Sequence, residues 1–445
     1  MDRFINFYQL LSNQRGSNVA LVYDKEGVTI SLTYKELISL IDNYATIDKS
    51  SIAILAENNV ETIIAMFAYA KSQKQIVLLN PLDDISTLKK QIIAADVDYI
   101  VGNSEIVDKL NDCLTLKKTP RNGNILFFTS GTTTSTKAVI LTESSLCASA
   151  YNGGALLSLS EYDIMLSVSS FSHVFGFVCS LLWPLSFGAS IVLTNDLKKI
   201  VNDINIYKPT VISLVPQMAS FFAKNQLINK ELKQVLIGAG PCSIDIINAF
   251  KVHNVKVSFG YGLTETSSGV AVSIGEDPFA MSICPDVDIF IASDSEILIS
   301  SKTCLMKGYY HARKSTDEAI KNGYFHTGDL GSIDENGLLH ILGRKKDTLV
   351  FSDGTKIYCP EYEEELSKFL PSLDFAISLI NDNVALFIYD ENGTNIDKKI
   401  REFNSSRTKS HRISQIIKIK NAIPRTKTGK IQRYLLREIE EDDYE

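Results

Sequence analysis

The stretch NILFFTSGTTTSTKAV, residues 124–139, sets the architecture of the chain, because an apolar run ends in a loop rich in hydroxyl groups. The run 124–128 is typical of a buried strand, and the loop holds one glycine, Gly131, and one lysine, Lys137. Backbone N–H groups and hydroxyls in such a loop donate to phosphate oxygens, and a lysine adds positive charge. It is not a Walker loop, since Thr136 and Ala138 break that pattern. The stretch therefore predicts a phosphate-binding loop, with an ordinary Ser/Thr-rich linker as the open alternative.

Outward from this loop, short β-branched runs alternate with helical stretches along most of the chain. Strands are predicted over 51–55, 75–79, 99–101, 190–193, 210–215, 235–238 and 256–259, with helices over 59–71 and 86–95. This alternation is typical of crossover units and parallel sheets. From about residue 286 the strands shorten, as over 296–300 and 337–342, which predicts a smaller antiparallel section. We therefore predict an α/β fold: a large N-terminal domain of mostly parallel sheets layered with helices, then a small α+β C-terminal domain.

The composition excludes several classes of protein. The 445 residues are 45% apolar and 22% charged, which excludes disordered, collagenous and fibrous chains. The net charge of −7 argues against nucleic-acid binding. The seven cysteines form no C-x-x-C pair, so we expect neither a disulfide framework nor a zinc site, but a reducing, cytoplasmic environment.

Two stretches bear on secretion and membranes. The N-terminus, MDRFINFYQLLSNQRG, carries charges and amides where a signal peptide needs an apolar core. The stretch 164–195 has no charged residue, but it contains seven serines together with His173, Pro184 and Gly188. We expect a buried helix there and no membrane span.

The C-terminal region is strongly basic, whereas the chain as a whole has a net negative charge. Residues 396–437 hold 13 Lys and Arg side chains against two acids, Asp397 and Glu402. A solvated helical face is the simple explanation. The loop at 424–429, which presents Lys430, favours an anionic ligand or partner instead.

Further motifs follow other predicted strands. FGYGLTET, residues 259–266, offers glycines for close approach, a flat Tyr261 ring for a base, and the hydroxyl and carboxylate of Thr264 and Glu265. HTGDLGSIDENGLLHILGRKKD, residues 326–347, offers Asp329 and Arg344 for sugar hydroxyls and phosphate, and PRTKTGKIQR follows at 424–433. For each, an ordinary turn or a surface charge is the alternative.

Together these segments resemble the adenylate-forming (AMP-binding) superfamily of acyl-CoA synthetases, stand-alone and peptide-synthetase adenylation enzymes, and luciferases. TSGTTTSTKAV is similar to that family's TSGTTGxPKGV loop, GYGLTET to YGxTE, YFHTGD to TGD, GRKKD to its hinge, and PRTKTGKIQR to PKTxxGKIxR. The motifs stand in family order and span about residues 32–433.

The resemblance implies an N-terminal domain over 1–346, a C-terminal lid over 347–445, and a site in the cleft between them. It implies an acid–thiol ligase that forms an acyl-adenylate and pyrophosphate from a carboxylic acid and ATP, with Mg²⁺ as cofactor, and then transfers the acyl group to a thiol. For the ATP phosphates it implies Thr129, Ser130, Gly131, Thr132, Thr133 and Lys137. For adenine and ribose it implies Ala239, Gly240, Tyr261, Gly262, Asp329 and Arg344.

It also implies the reacting groups. Thr264 would contact phosphate, and Glu265 would hold Mg²⁺. Lys430 would bridge the acid's carboxylate and the α-phosphate in the first half-reaction, and Asp347 would be the hinge. Two anions have to meet, so cations must neutralise the developing charge.

The chain departs from the family pattern in a few places. Thr134, Thr136 and Ala138 replace the usual Gly, Pro and Gly, so we expect the loop to be stiffer and to bind ATP less tightly. Val350 replaces a frequent Lys, and Cys359 replaces Pro. None of these changes removes a charged catalytic group, so we expect an active enzyme.

The class of the acid is predicted from residues that would line its pocket. Ser172 stands where amino-acid-activating members have Asp, so an α-ammonium group would lack its partner. His173 resembles the pocket-lining residue of acyl- and aryl-CoA synthetases, and Gly238 and Phe259 are the other predicted acid contacts. We expect the substrate to be a fatty, aryl or other carboxylic acid without an α-amino group.

Three alternatives for the overall function remain open. CoA is the simplest acceptor, and phosphopantetheine on a separate, acidic acyl-carrier protein is the close competitor, given the basic C-terminal segment. A nucleotide-binding regulatory protein without catalysis is the third possibility, supported only by the altered phosphate loop.

Overall fold

The computed structural model describes residues 5–115, 122–129, 137–194, 196–240, 242–353, 355–371, 373–390, 395–425 and 431–436. The chain divides into two compact units. Unit one comprises Met1–Phe290, Leu298–Thr327 and Ile333–His340. Unit two comprises Ile291–Ile297, Gly328–Ser332 and Ile341–Glu445.

Strands and helices alternate through unit one, as the sequence predicts. The strands of the chain are β1 (Val19–Lys25), β2 (Val28–Thr33), β3 (Ser51–Leu55), β4 (Gln75–Leu79), β5 (Tyr99–Val101), β6 (Asn124–Thr129), β7 (Lys137–Thr142), β8 (Ile164–Ser167), β9 (Ser190–Leu193), β10 (Val211–Leu214), β11 (Gln234–Gly238), β12 (Lys256–Leu263), β13 (Ser268–Val272), β14 (Ser282–Ile283), β15 (Val287–Ile291), β16 (Glu296–Ser301), β17 (Gly308–Tyr309), β18 (Ile320–Lys321), β19 (Tyr324–Ile333), β20 (Leu339–Arg344), β21 (Thr348–Val350), β22 (Lys356–Tyr358), β23 (Asp374–Ile380), β24 (Asn383–Tyr389) and β25 (Ile413–Lys418). The α-helices are α1 (Phe7–Ser12), α2 (Tyr34–Asp42), α3 (Val60–Lys71), α4 (Ile85–Ala94), α5 (Ser104–Leu110), α6 (Glu143–Leu156), α7 (Val174–Phe177), α8 (Trp183–Ser186), α9 (Ile200–Tyr207), α10 (Pro216–Lys224), α11 (Ile244–Lys251), α12 (Arg313–Ala319), α13 (Cys359–Ser367), α14 (Asp397–Ser405) and α15 (Arg433–Leu436).

A nine-stranded sheet has the order β14-β13-β12-β11-β10-β8-β9-β1-β2. Its central strands, from β12 to β1, pair in parallel, and antiparallel strands close both edges. Parallel neighbours end at the same edge of a sheet, so the loops that follow β8, β10, β11 and β12 lie side by side.

The second sheet of unit one shows why the predicted strands are apolar throughout. Its order is β17-β7-β6-β4-β3-β5. Ile52 and Ile54 of β3 belong to one apolar cluster, while Ala53 and Leu55 belong to another cluster with residues of α4 and α5. Both faces of the strand are therefore buried, which removes the polar alternation of a half-exposed strand.

The uncharged stretch 164–195 forms buried helix in its middle, as predicted, but the prediction is wrong for its first residues, which form β8 because they pair in parallel with β9 and β10. α7, a π-helical turn at Val178–Leu182 and α8 follow one another, and most of their side chains are buried. The largest apolar cluster includes Phe177, Leu181 and Trp183, with residues of both sheets, α3 and α6. Among the described residues, no helix has the length and apolar character needed to cross a membrane.

A five-stranded sheet of order β15-β16-β19-β18, with β20 beside β19, follows in the chain. Its strands β18 and β19 pair antiparallel. The strand predicted at 337–342 is shifted to 339–344, because the Asp334 side chain accepts hydrogen bonds from the amides of Asn336 and Leu338 and forms a turn there.

Unit two has its own core around the three-stranded sheet β23-β24-β25. Ile377 and Leu386 face a cluster with residues of α13 and α14, while Ala376 and Phe387 face one with Leu436 of α15. A sheet with helices on both faces, beside the hairpin β21-β22, is the small α+β section that the sequence predicts.

Candidate functional site

The carboxyl edge of the nine-stranded sheet brings predicted site residues together. Gly238, the last residue of β11, pairs in parallel with Gly260 of β12. The next residues of the two strands, Ala239 and Tyr261, therefore lie side by side. Ala239 is exposed and has a φ of 65°, which turns the chain away from the sheet. Gly240 and Tyr261 are half-buried. The predicted adenine residues therefore lie on adjacent strand ends.

The last part of β12 requires a glycine at position 262. A Cβ atom on Gly262 would lie 1.7 Å from the carbonyl oxygen of Ser268 on the returning strand β13, where the register shifts. Thr264 and Glu265 follow in a short 3₁₀ turn. The Thr266 hydroxyl fixes this turn, since it donates to the Ser268 carbonyl at 2.9 Å and accepts from the Leu263 amide at 2.9 Å. Nothing in the sequence distinguishes Thr266 from the other hydroxyl residues of this segment.

Glu265 is held from a distant segment. The Tyr309 hydroxyl donates to Oε1 of Glu265 at 2.8 Å, and the Met306 amide donates to the Glu265 carbonyl at 2.8 Å. Burial, and then the negative charge of Glu265, raise the pKa of Tyr309, so the hydroxyl keeps its proton. Among the described residues, no donor reaches Oε2 of Glu265. A half-buried carboxylate with one such oxygen fits the hard-oxygen preference of Mg²⁺.

The predicted phosphate loop is described at its two ends. Thr129 of β6 pairs with Lys137 of β7, so the segment between them joins adjacent antiparallel strands. Lys137 is half-buried, and its Nζ lies 5.0 Å from the centre of the Tyr309 ring. Tyr309 thus contacts both the loop lysine and Glu265. The predicted residues Ser130, Gly131, Thr132 and Thr133 lie outside the described residues, as do Thr134 and Thr136.

The segment that carries His173 is anchored by Asn58, which the sequence analysis did not identify. The Asn58 Nδ2 group donates to the Ser169 carbonyl at 2.9 Å, and its Oδ1 accepts from the Phe171 amide at 3.3 Å. His173 is exposed, yet desolvation by the surrounding protein lowers its pKa, an effect that the charge of Asp83 opposes. The lowered pKa favours the neutral form of His173 at pH 7.

The neighbouring residues define the space beside His173. The Phe175 ring lies against Gly238, where a Cβ atom would approach it to 2.5 Å. Ser172 is buried and shares a hydrogen bond of 2.8 Å with Ser170, so no charge stands at this place. Phe259 is buried, with its ring 6.1 Å from that of Phe279.

In unit two, the predicted ribose residues form an ion pair. Arg344 Nε lies 2.7 Å from Asp329 Oδ1, and Asp329 is buried. Glu296 contacts the chain neighbours of both residues, Gly328 next to Asp329 and Lys345 next to Arg344. It accepts from the Gly328 amide at 2.9 Å and pairs with Lys345 at 3.2 Å. Glu296 lies in a stretch that the sequence analysis noted without assigning it a role.

The predicted hinge residue, Asp347, is buried beside Arg433, with Oδ1 and Nε 3.8 Å apart. Arg433 is the last residue of the motif at 424–433, and it forms a two-pronged pair with Glu363 at 2.6 and 2.7 Å. Before the hinge, the Tyr358 ring fills the space at Gly343, where a Cβ atom would approach it to 2.1 Å. Lys430 lies outside the described residues.

Comparison with known proteins extends along nearly the whole chain. Residues 115–310 match the family described as AMP-binding enzyme. A 2-succinylbenzoate–CoA ligase of Listeria monocytogenes serotype 4b (strain F2365) is 26% identical over 453 residues, which cover 94% of this chain and 96% of that protein. The O-succinylbenzoate coenzyme A synthetase of Bacillus subtilis in complex with AMP matches with a TM-score of 0.82 at 20% identity, covering 98% of both chains. Its complex with ATP and magnesium ion matches with a TM-score of 0.79 at 19% identity, covering 98% of this chain and 100% of that one.

Proposed function

We propose that this AMP-binding enzyme, which activates a carboxylic acid with ATP and transfers the acyl group to CoA, acts on a compact aromatic acid such as 2-succinylbenzoate. Residues 115–310 form an AMP-binding enzyme domain, so the predicted resemblance is confirmed. The predicted α/β fold is confirmed along the chain. The predicted reaction class, an AMP-forming ligase that uses ATP, Mg²⁺ and CoA, is confirmed as well.

The position of the Phe175 ring is the observation that carries the proposed acid. The ring lies directly on Gly238, at the edge where the predicted acid contacts gather. In this proposal the ring closes the acid's space at Gly238 and offers an aromatic face for stacking, whereas a long alkyl chain would need an extended apolar channel. The uncharged Ser172 leaves an α-ammonium group without a partner, which disfavours amino acids.

Each candidate residue has a proposed role in the first half-reaction. Lys137, the hydroxyls of the phosphate loop and Thr264 bind the ATP phosphates, and Tyr261 stacks on adenine. Glu265 would hold Mg²⁺, which when bound would supply positive charge to the phosphate oxygens. Lys430 brings the acid's carboxylate to the α-phosphate, and pyrophosphate leaves. The ion pair of Asp329 and Arg344 presents a carboxylate and a guanidinium to the ribose hydroxyls.

A carrier protein in place of CoA finds no support. The carrier alternative draws on exposed cations of unit two: Lys398, Arg401, Lys409 and Arg412. Exposed charges of this kind are common on solvated surfaces, and the similar Listeria protein is named a CoA ligase. We also propose that residues 347–445 act as the lid, with Asp347 as the hinge, and that the enzyme is cytoplasmic. The seven cysteines are free, as a reducing compartment requires.

Pyrophosphate release across a panel of acids tests the proposed substrate. With ATP, Mg²⁺ and CoA, we expect kcat/KM for 2-succinylbenzoate to exceed that for C10–C12 fatty acids roughly 100-fold. Phe175→Ala should lower the preference about tenfold by admitting longer chains, because the ring no longer fills the space at Gly238.

Phe221→Ala is the matched control, since that phenylalanine is exposed on α10. It should leave the preference unchanged. Equal use of fatty and aromatic acids by the unaltered enzyme would overturn the proposal. Turnover that stops near one equivalent of pyrophosphate despite added CoA would point to a carrier protein.

A further inference from the structure

The strand pair β7–β17 brings three chemically important side chains into one row. Tyr309 of β17 pairs with Val139 of β7, two residues after Lys137. The same strand pair carries the Tyr309 side chain to Glu265, which lies 44 residues earlier in the chain. Lys137, Tyr309 and Glu265 therefore meet, although they come from three separate segments of unit one.

We propose that Tyr309 is a positioning residue that holds the metal-binding carboxylate of Glu265 and the phosphate-binding ammonium of Lys137 at a fixed separation. The inference rests on the roles proposed above for these two residues. Its hydroxyl occupies one carboxylate oxygen of Glu265 at 2.8 Å, and its ring face lies 5.0 Å from Lys137 Nζ.

The two contacts explain why a tyrosine suits this position. A hydrogen bond to a carboxylate is among the stronger ones in proteins and sets the direction of the second oxygen. A ring face attracts an ammonium group without neutralising its charge. No ion pair joins Lys137 to Glu265 among the described residues, so each keeps its charge for the ligand. A carboxylate in place of the ring would pair with Lys137 and compete with phosphate.

The backbone around Tyr309 supports this role. The Met306 amide donates to the Glu265 carbonyl at 2.8 Å, and the Tyr309 amide donates to the Thr316 hydroxyl at 2.9 Å. A Cβ atom on Gly308, whose φ is 141°, would lie 2.8 Å from the Thr316 side chain. The segment from Met306 to Tyr309 is thus fixed against both the Glu265 turn and α12.

Nucleotide binding without acid tests the proposal independently of the acid's identity. Tyr309→Phe keeps the ring and removes the hydroxyl. We expect it to weaken the equilibrium affinity for Mg²⁺-ATP about tenfold in calorimetry, and the affinity for ATP in EDTA less than twofold. Tyr309→Leu removes the ring as well and should weaken both affinities, because Lys137 then loses its support.

Tyr310→Phe is the matched control, because the hydroxyl of that neighbouring tyrosine donates to Asp96 at 3.3 Å instead. It should bind both forms of ATP as the unaltered enzyme does. Wild-type affinity for Mg²⁺-ATP in Tyr309→Phe would overturn the proposal. An equal loss for both forms of ATP in that variant would show a structural role only and would overturn it too.

Discussion

Lys430→Ala is expected to slow adenylate formation about 1,000-fold or more while leaving thioester formation from presynthesised acyl-adenylate within a few-fold of normal. The lysine would bring two anions, the acid's carboxylate and the α-phosphate, into contact, and its loss leaves their repulsion unscreened at the moment of bond formation. Once the adenylate exists, that repulsion no longer limits the rate, so the second half-reaction does not need this cation.

The chain around Lys430 is well anchored on both sides, which makes the substitution interpretable. Arg425 and Ile431 form an antiparallel bridge, and Arg425 pairs with Asp374 at 2.7 Å. The Gln432 amide donates to the Pro424 carbonyl at 2.8 Å. These contacts are all made by residues other than 426–430, so we expect the variant to keep them.

Each half-reaction is measured separately. Pyrophosphate release with acid and ATP reports the first, and thioester formation from acyl-adenylate and CoA reports the second. Lys409→Ala removes an exposed cation of the same unit and should change neither rate. Equal loss of both half-reactions in Lys430→Ala would contradict the proposed role.

Arg433→Ala is expected to destabilise unit two by about 3–5 kcal/mol, because it leaves a largely buried carboxylate without its partner. Arg433 is buried, pairs with both oxygens of Glu363, and donates to the Ile377 carbonyl at 3.0 Å. Glu363 in turn accepts from the Ile377 amide at 2.7 Å. The pair therefore links α13, β23 and α15.

Hydrogen exchange of the β23 and β24 amides measures this effect in the intact chain. Protection should fall roughly 150- to 4,000-fold in Arg433→Ala, the equivalent of the expected free-energy loss. The double variant Arg433→Met, Glu363→Leu should recover much of it, since apolar side chains of similar volume often replace a buried ion pair at little cost. Unchanged protection in Arg433→Ala would rule out a structural role for the pair.

The sequence is sufficient for strands that are apolar and buried on both faces, but not for β1, β2 or β8, which were not predicted. The predicted strands 51–55 and 75–79 coincide with β3 and β4, since both faces are buried and the runs are apolar from end to end. The close backbone contact at Gly262 was also predictable, because only a glycine has room there and glycines are visible in the sequence.

The partners of the site residues could not be predicted, because they come from distant segments. Tyr309 lies 44 residues from Glu265, and Asn58 lies 111 residues from the Ser169 carbonyl that it holds. Nothing in the local sequence around Asn58 distinguishes it from a surface asparagine before a helix. Its role depends on how the start of α3 packs against the segment after β8, which only the tertiary structure shows.

Trp183 gives unit one an intrinsic fluorescent probe. It is the only tryptophan of the chain, and it is buried in α8 within the apolar cluster that joins the two large sheets. A Cβ atom on Gly154 of α6 would lie 2.6 Å from the indole ring, so the ring is tightly enclosed. Its fluorescence emission maximum should therefore lie at short wavelength in the native protein. The maximum should shift to longer wavelength when the layers of unit one separate. Titration with denaturant would follow that separation without any added label.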